Sequence, residues 1–250
     1  MNKLIAENIG VRYSLRKGMF ARRDNWALRN VSFEVNPGDS FAVIGRNGSG
    51  KSTLLRVLTG VFKPDEGRVV NTLGAASLLT INLGFVPNLS GRENAIMAGL
   101  LQGKRRRDVL KKIDAIKELS GLGDAFEDPV GSYSTGMTGR LGFSASFYND
   151  PAVLLVDEAL AAGDDEFRKK AMEMMTEKLK SDLTCVFVSH ALPQVRKLCN
   201  RGIWLDQGQI RAEGDVETIT DAYQEFQRKR NRARDESREP TTREATKAAR

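Results

Sequence analysis

A nine-residue run constrains the fold of this chain more than any other feature. Residues 45–53 read GRNGSGKST and fit the phosphate-binding pattern G-x-x-x-x-G-K-[ST] in full. In this pattern the glycines let the backbone surround a triphosphate, Lys51 reaches the β- and γ-phosphates, and the Ser52 hydroxyl ligates Mg²⁺. An apolar strand pattern over residues 40–45 runs into the loop, and a helical pattern over residues 52–60 follows it. The run therefore predicts a nucleoside triphosphate site on an α/β fold.

Composition excludes several classes of protein. The 250 residues contain no run of 18 apolar residues and no signal-peptide pattern at the start, and the two cysteines are too few for a disulfide framework. These features predict a cytosolic protein. The net charge is +7, but residues 227–250 carry nine basic and four acidic residues, so +5 of that charge lies in a stretch poor in apolar residues. We expect this basic stretch to be a disordered tail beyond roughly residue 228.

Strand and helix patterns alternate along the rest of the chain. From residue 90 to about 148, apolar residues recur at three- and four-residue spacing, which indicates helices, and residues 166–182 show the same pattern. The predicted strands cover residues 3–13, 27–35, 40–45, 66–71, 76–79, 152–158 and 184–190. Near-continuous apolar strands separated by a helix indicate a parallel sheet covered on both faces. The helical block is thus inserted between two halves of a nucleotide-binding sheet.

Two adjacent carboxylates follow one of these strands. Residues 152–158 read AVLLVDE, which places Asp157 at the carboxyl end of a buried strand and Glu158 directly after it. A carboxylate in this place can hold Mg²⁺ through water, and its neighbour can orient or deprotonate the attacking water. The pair predicts hydrolysis of the bound nucleotide.

A third motif, YSTGM at residues 133–137, lies between the two phosphate motifs. With it, the chain resembles the ATP-binding subunits of ABC transporters. In that family this signature loop meets the γ-phosphate held by the opposite subunit, and the resemblance gives that role to Ser134 and Gly136. A serine hydroxyl, free N–H groups and a helix N-terminus all favour an anion.

The same resemblance gives roles to two more residues. His190 is the only histidine and ends the apolar strand 184–190, as the family's switch histidine does where it contacts the γ-phosphate. Asp164 matches the loop through which two family subunits contact each other. The resemblance thus implies a homodimer that holds two ATP molecules with Mg²⁺ between its subunits.

Further phrases are similar to one branch of the family, the subunits that export bacterial surface polysaccharides. They are GFVPNLSGREN at residues 84–94, the methionine at position 137, and the stretches 156–171 and 192–215. This branch implies two copies of an integral-membrane permease, a lipid-linked polymer (O-antigen, capsule or teichoic acid), and a place at the cytoplasmic face of the inner or plasma membrane. No nucleic-acid partner is expected. One alternative is a subunit of an importer or of another exporter, which shares every catalytic residue. A less favoured alternative is a chromosome- or repair-associated ATPase, which shares the ATP chemistry and the signature but needs a long coiled coil or a second nucleic-acid domain, neither of which we find in the 250 residues.

The expected fold is a P-loop ATPase, with a RecA-like mixed sheet flanked by helices, an antiparallel β part and an inserted helical subdomain. We expect an ATP-binding domain over residues 1–226, the helical subdomain at about 88–150, and the tail at 227–250. The catalytic residues are Lys51, Glu158 and His190, the Mg²⁺ ligands are Ser52 and Asp157, and the dimer contact is Asp164. The ATP-binding residues are Tyr13, Gly45, Arg46, Asn47, Gly48, Ser49, Gly50, Lys51, Ser52, Thr53, Ser134 and Gly136.

Two positions depart from the family pattern. Many ABC proteins carry a glutamine in the linker that enters the helical block, but the region around Val86 has none, so its role falls to Asn82, Asn88 or backbone groups. The aromatic residue that stacks on adenine is Tyr13 or Trp26, and its place at the end of the first strand favours Tyr13.

A basic and aromatic segment separates those two aromatic residues. Residues 14–26 contain four arginines and lysines together with Met19, Phe20 and Trp26, and we expect a long loop there. Such a mixture suits a membrane–water interface near the bilayer, and it equally suits a solvated charged hairpin.

Overall fold

The computed structural model describes residues 2–17, 21–79, 84–149, 151–157, 164–179 and 183–236. These residues form two β-sheets and a set of α-helices. The strands are β1 (Leu4–Lys17), β2 (Ala21–Val35), β3 (Ser40–Ile44), β4 (Glu66–Asn71), β5 (Ala76–Leu79), β6 (Val153–Val156), β7 (Thr184–Val188), β8 (Arg201–Asp206) and β9 (Gln209–Asp215). The helices are α1 (Lys51–Leu58), α2 (Gly91–Leu101), α3 (Arg106–Leu110), α4 (Ile113–Ser120), α5 (Thr135–Tyr148), α6 (Asp165–Leu179), α7 (Leu192–Leu198) and α8 (Val216–Glu236).

The larger sheet has six strands in the order β5-β6-β7-β3-β8-β9. Its strands run parallel from β5 to β8, and β9 pairs antiparallel with β8. Every residue of β3, β6 and β7 is buried, because both faces of the sheet are covered. Alternate residues such as Leu154 and Leu155 belong to two different core clusters, one on each face. The predicted α/β fold with a mixed sheet is confirmed.

The smaller sheet has three antiparallel strands in the order β2-β1-β4. Its β1–β2 pairing continues as far as Lys17 opposite Ala21, so the long loop expected at residues 14–26 is mostly a paired hairpin. Polar cross-strand pairs replace the apolar alternation that marks a strand: Asp24 accepts a hydrogen bond from Ser14 and lies 3.3 Å from the guanidinium of Arg12. Residues 18–20 lie outside the described part of the chain.

Helices α2 to α5 follow each other between β5 and β6 and pack around a core of their own. Ile116, Phe126 and Leu141 are fully buried in that core. Within the helical pattern predicted from residue 90 to about 148, α3 and α4 are separate helices, divided at residues 111–112. The block thus has a core of its own, and Leu119 of α4 and Phe143 and Phe147 of α5 also pack into the core on one face of the large sheet.

Helix α8 extends into the stretch that the sequence predicts to be a disordered tail. It continues to Glu236, so ten residues of the expected tail 227–250 are helical. Its first half packs on β8 through Tyr223 and Phe226, both of which contact the ring of Trp204. An i,i+4 ion pair of 2.6 Å between Lys229 and Glu225 links the buried half to the basic half. None of the helices in the described residues is long and apolar enough to cross a membrane.

Candidate nucleotide-binding site

Three neighbouring strands bring the predicted catalytic motifs to one edge of the large sheet. Strand β7 lies between β6 and β3 and pairs in parallel with both. Because the carboxyl ends of parallel strands share an edge, the loop after β3, Asp157 after β6 and His190 after β7 lie along that edge.

The loop at residues 45–50 is folded around the side chain of Lys51. Gly45 and Gly50 have φ values of +155° and +106°, and a Cβ atom at either position would lie within 2.5 Å of a backbone oxygen, that of Leu205 or Ala27. The Lys51 side chain is 6% exposed, and its Nζ donates to the carbonyl oxygens of Gly45 at 2.8 Å and Arg46 at 2.9 Å. Only glycine fits these two positions, which explains the pattern seen in the sequence.

A cavity of about 650 Å³ opens beside this loop. Its described lining comprises Asn25, Trp26, Ala27, Asn47, Gly48, Gly50, Lys51, Ser52, Thr53, Asp157, Gln207 and Gly208. Seven of these were predicted as site residues from the sequence. Of the remaining loop residues, Arg46 is exposed and Ser49 is buried.

The charges of the cavity fit a triphosphate accompanied by a divalent cation. Burial lowers the pKa of the Lys51 amine, and the Asp157 carboxylate partly opposes this. Burial likewise raises the pKa of Asp157, against the charges of Lys51 and Arg56. The buried hydroxyl oxygen of Ser49 has no hydrogen-bond partner among the described residues. A poorly solvated ammonium favours an anion, and the Asp157 carboxylate and the Ser52 hydroxyl, which line the same cavity, are the kind of oxygen ligands that Mg²⁺ prefers.

The turn between β8 and β9 also belongs to this cavity. The Gly208 N–H donates to the carbonyl oxygen of Ser49 at 3.0 Å, and the Arg29 N–H donates to the carbonyl of Gly208 at 2.8 Å. Gln207 and Gly208 both have positive φ values, typical of a two-residue hairpin turn. The sequence did not predict this contact. Gln207 followed by Gly208 indicates a hairpin turn, but nothing local indicates that this turn contacts the loop at residues 45–50.

The two candidates for adenine stacking have different surroundings. Trp26 lines the cavity, and the guanidinium of Arg12 lies 5.6 Å from the centre of its ring. Tyr13 is absent from the described lining: its ring packs edge-on against Phe62, and its hydroxyl lies 3.4 Å from Oγ1 of Thr53. Trp26 thus borders the cavity directly, whereas Tyr13, the residue preferred from the sequence, adjoins it through Thr53.

The signature residues lie in the helical block, at the N-terminus of α5. Ser134 is the N-cap of this helix, and its Oγ accepts a hydrogen bond from the N–H of Met137 at 3.2 Å. The hydroxyl proton of Ser134 is thereby left to donate outwards. Ser134 is exposed, Gly136 is half-buried, and neither is in the described lining of the cavity that contains Lys51.

The remaining predicted residues have separate positions. His190 is exposed at a second cavity of about 840 Å³, which lies between α6 and α7. Asp164 accepts a hydrogen bond at 2.8 Å from the N–H of Phe167 at the start of α6, and its other oxygen lies 3.9 Å from the Arg140 guanidinium. Glu158 and Asn82 lie outside the described residues. Asn88 is described and exposed.

Comparison with curated proteins gives relatives along most of the chain. It is 39% identical over 220 residues to the teichoic acids export ATP-binding protein TagH of Bacillus anthracis, covering 88% of this chain and 40% of the relative. It is 39% identical over 213 residues to the O-antigen export system ATP-binding protein RfbB of Klebsiella pneumoniae, covering 85% of each. The chain spans 64% of the TagH protein of Listeria innocua. It is therefore shorter than the TagH relatives and close to RfbB in extent.

Solved structures show the same fold. The dimeric ATP-binding cassette MJ0796 bound to ADP and Pi superposes with a TM-score of 0.71 at 21% identity, covering 85% of this chain and 98% of the cassette. The family model for ABC transporters matches residues 28–161, which include the loop around Lys51, the signature loop and Asp157. With this match over more than half of its length and these relatives, the chain belongs to the ABC transporter family.

Proposed function

We propose that this chain is an ATPase subunit that works as a homodimer and drives an exporter of a lipid-linked surface polysaccharide. Its relatives named for teichoic acid and O-antigen export support the export role. The cavity beside Lys51, with its buried amine and carboxylate, supports the ATPase role.

The proposed homodimer is supported by the separation of two motifs, the phosphate-binding loop and the signature loop, which act on the same nucleotide. The loop at residues 45–53 and Asp157 line one cavity, whereas Ser134 and Gly136 lie at the start of α5 and are not in its described lining. When two copies pair about a two-fold axis, the signature loop of each copy can close the cavity of the other. The N-terminus of α5 and the Ser134 hydroxyl proton then meet the γ-phosphate.

Each residue has a defined task in this arrangement. The loop N–H groups and Lys51 bind the phosphates of ATP, and Trp26 stacks on adenine. Ser52 and Asp157 would hold Mg²⁺, which when bound offsets the charge that develops on the phosphates. Glu158 orients or deprotonates the attacking water, and His190 contacts the γ-phosphate. ATP favours the closed dimer because it is bound more tightly there, and hydrolysis releases the two subunits.

A depletion and complementation experiment in the host tests the function. Depletion is expected to leave a lipid-linked polymer on the cytoplasmic side of the membrane and to remove it from the surface. Wild-type protein restores export, whereas Lys51→Ala, which loses ATP binding, and Glu158→Gln, which binds ATP without turnover, do not. Composition analysis of the accumulated polymer identifies the sugar or polyol. An unchanged surface and no accumulation on depletion would reject the polysaccharide and point to another ABC transporter role.

A further inference from the structure

The linker that enters the helical block is held by one buried side chain. Asn94, on the first turns of α2, is 0% exposed. Its Oδ1 accepts from the N–H of Val86 at 2.8 Å, and its Nδ2 lies within 3.1 Å of the carbonyl oxygens of Val86, Leu89 and Ser90. Residues 86–90, which we call the linker turn, are thus fixed to α2 by this amide group, and Ser90 and Glu93 add a reciprocal pair of hydrogen bonds at the start of the helix.

The linker turn is also paired with the segment that leads into the signature loop. The N–H of Gly131 donates to Pro87 O at 2.8 Å, and the N–H of Val130 donates to Leu89 O at 2.9 Å. Ser90 and Pro129 form an antiparallel bridge. Residues 86–90 and 129–131 are therefore held together by backbone hydrogen bonds that do not depend on side-chain identity.

Tyr133 continues this connection to the signature serine. Its hydroxyl donates to the carbonyl of Ala125 and lies against Gly91, the first residue of α2, whose N–H donates to the carbonyl of Asp128. A Cβ atom on Gly91 would lie 2.4 Å from this hydroxyl oxygen, so the glycine makes room for the ring. Burial raises the pKa of the Tyr133 hydroxyl, which keeps it protonated and able to donate. The next residue is Ser134, the N-cap of α5.

We propose that Asn94 and Tyr133 are positioning residues that make the linker turn and the signature loop one rigid unit. A displacement of the linker turn then carries Ser134 with it, and the linker needs no glutamine for this coupling. The inference rests on the proposed function, in which Ser134 closes the cavity of a second copy. It assigns to Tyr133 an effect on dimer closure and none on ATP binding to one chain, since Tyr133 does not line the cavity as described.

The test uses the full chain carrying Glu158→Gln, so that ATP is retained. The ATP concentration that produces half-maximal dimer is measured by analytical ultracentrifugation, and ATP affinity of the monomer is measured separately at low protein concentration. Ser134→Ala is expected to raise the half-maximal concentration about 10- to 100-fold, because it removes a hydrogen bond to a charged phosphate. Tyr133→Phe keeps the ring and is expected to raise it about 3- to 10-fold, with monomer affinity unchanged.

The combination of variants separates positioning from general destabilisation. If Tyr133 acts through Ser134, adding Tyr133→Phe to Ser134→Ala changes the half-maximal concentration by less than about twofold. Tyr148→Phe, a matched change at the far end of α5, where the ring packs against Phe147, is the control and leaves dimer formation unchanged. If the Asn94→Leu protein folds, we expect it to raise the half-maximal ATP concentration as Tyr133→Phe does. If it does not fold, Tyr133→Phe alone tests the inference.

Four outcomes overturn the inference; two of them reject the positioning role alone, and two reject the proposed dimer as well. The positioning role alone is rejected if Ser134→Ala raises the half-maximal ATP concentration and Tyr133→Phe does not. It is also rejected if the effects of the two changes on this concentration are fully additive. A normal Ser134→Ala, or no ATP-dependent dimer at all, rejects the proposed dimer and the positioning role with it.

Discussion

Tyr13 and Trp26 occupy neighbouring rungs of the β1–β2 hairpin, yet only one of them lines the nucleotide cavity. Tyr13 lies opposite Asn25, and Trp26 lies opposite Arg12. The Tyr13 ring packs edge-on against Phe62, whereas the Trp26 ring lies under the Arg12 guanidinium and borders the loop that contains Lys51. Stacking on adenine needs a flat π face rather than a specific residue type, so we take the aromatic residue that lines the cavity, Trp26, as the stacking candidate.

Trp26→Ala is expected to weaken ATP binding by about 1–3 kcal/mol, or roughly 5- to 150-fold, because a base loses its stacking partner. Inorganic triphosphate binding stays unchanged, since it uses the loop around Lys51. Isothermal titration of the monomer measures both. The comparison is Tyr13→Phe, which removes only the hydroxyl contact with Thr53 and is expected to bind ATP nearly as the wild type does. Equal loss for ATP and triphosphate in Trp26→Ala would argue against stacking.

At the scale of elements, helix α8 is part of the folded domain. Tyr223 is 2% exposed and packs with Phe226 around Trp204 of β8, and Ile219 is fully buried beside them. On the other side of the helix, Asp221 and Glu217 hold the guanidinium of Arg196 on α7. The helix therefore joins α7 to the edge of the large sheet that carries β8 and β9.

Tyr223→Ala is expected to lower the free energy of unfolding by about 3–5 kcal/mol, as for other buried aromatic residues cut to alanine. Urea denaturation followed by circular dichroism measures the change. Thr218→Ala, at an exposed position of the same helix, is the matched control and is expected to stay within about 0.5 kcal/mol of the wild type. A loss below about 1 kcal/mol at Tyr223 would mean that α8 adds little to domain stability.

What could be predicted from the sequence was mainly local. The strand, loop and helix around Lys51 follow each other within some twenty residues, and their pattern predicts them directly. The extended hairpin was missed because pairs such as Ser14 with Asp24 are polar. The end of α8 was missed because basic residues also form helices when an ion pair such as Lys229–Glu225 supports them. The contact of Gly208 with Ser49 depends on the tertiary fold and has no local signal.

At the scale of the whole molecule, the proposed dimer has two composite sites, each with Lys51 from one copy and Ser134 from the other. Lys51→Ala and Ser134→Ala are each expected to abolish ATP hydrolysis in a homodimer. Mixing the two variants yields dimers with both defects in one site and none in the other, so activity returns to roughly a quarter of wild type at most. Coupled-enzyme assays of separate and mixed variants measure this. No recovery on mixing, with exchange of subunits shown by tagged copies, would contradict sites shared between copies.

The support that the β8–β9 turn gives to the phosphate loop also has a consequence for a chain that is still being synthesised. Ser49 leaves the ribosome about 160 residues before Gly208, whose N–H fixes the loop from outside. At the usual pace of translation this interval is roughly 10–30 s. An unfinished chain therefore carries the complete sequence motif without the finished cradle. Chains that stop before the β8–β9 turn are therefore expected to bind ATP more weakly than chains that contain it.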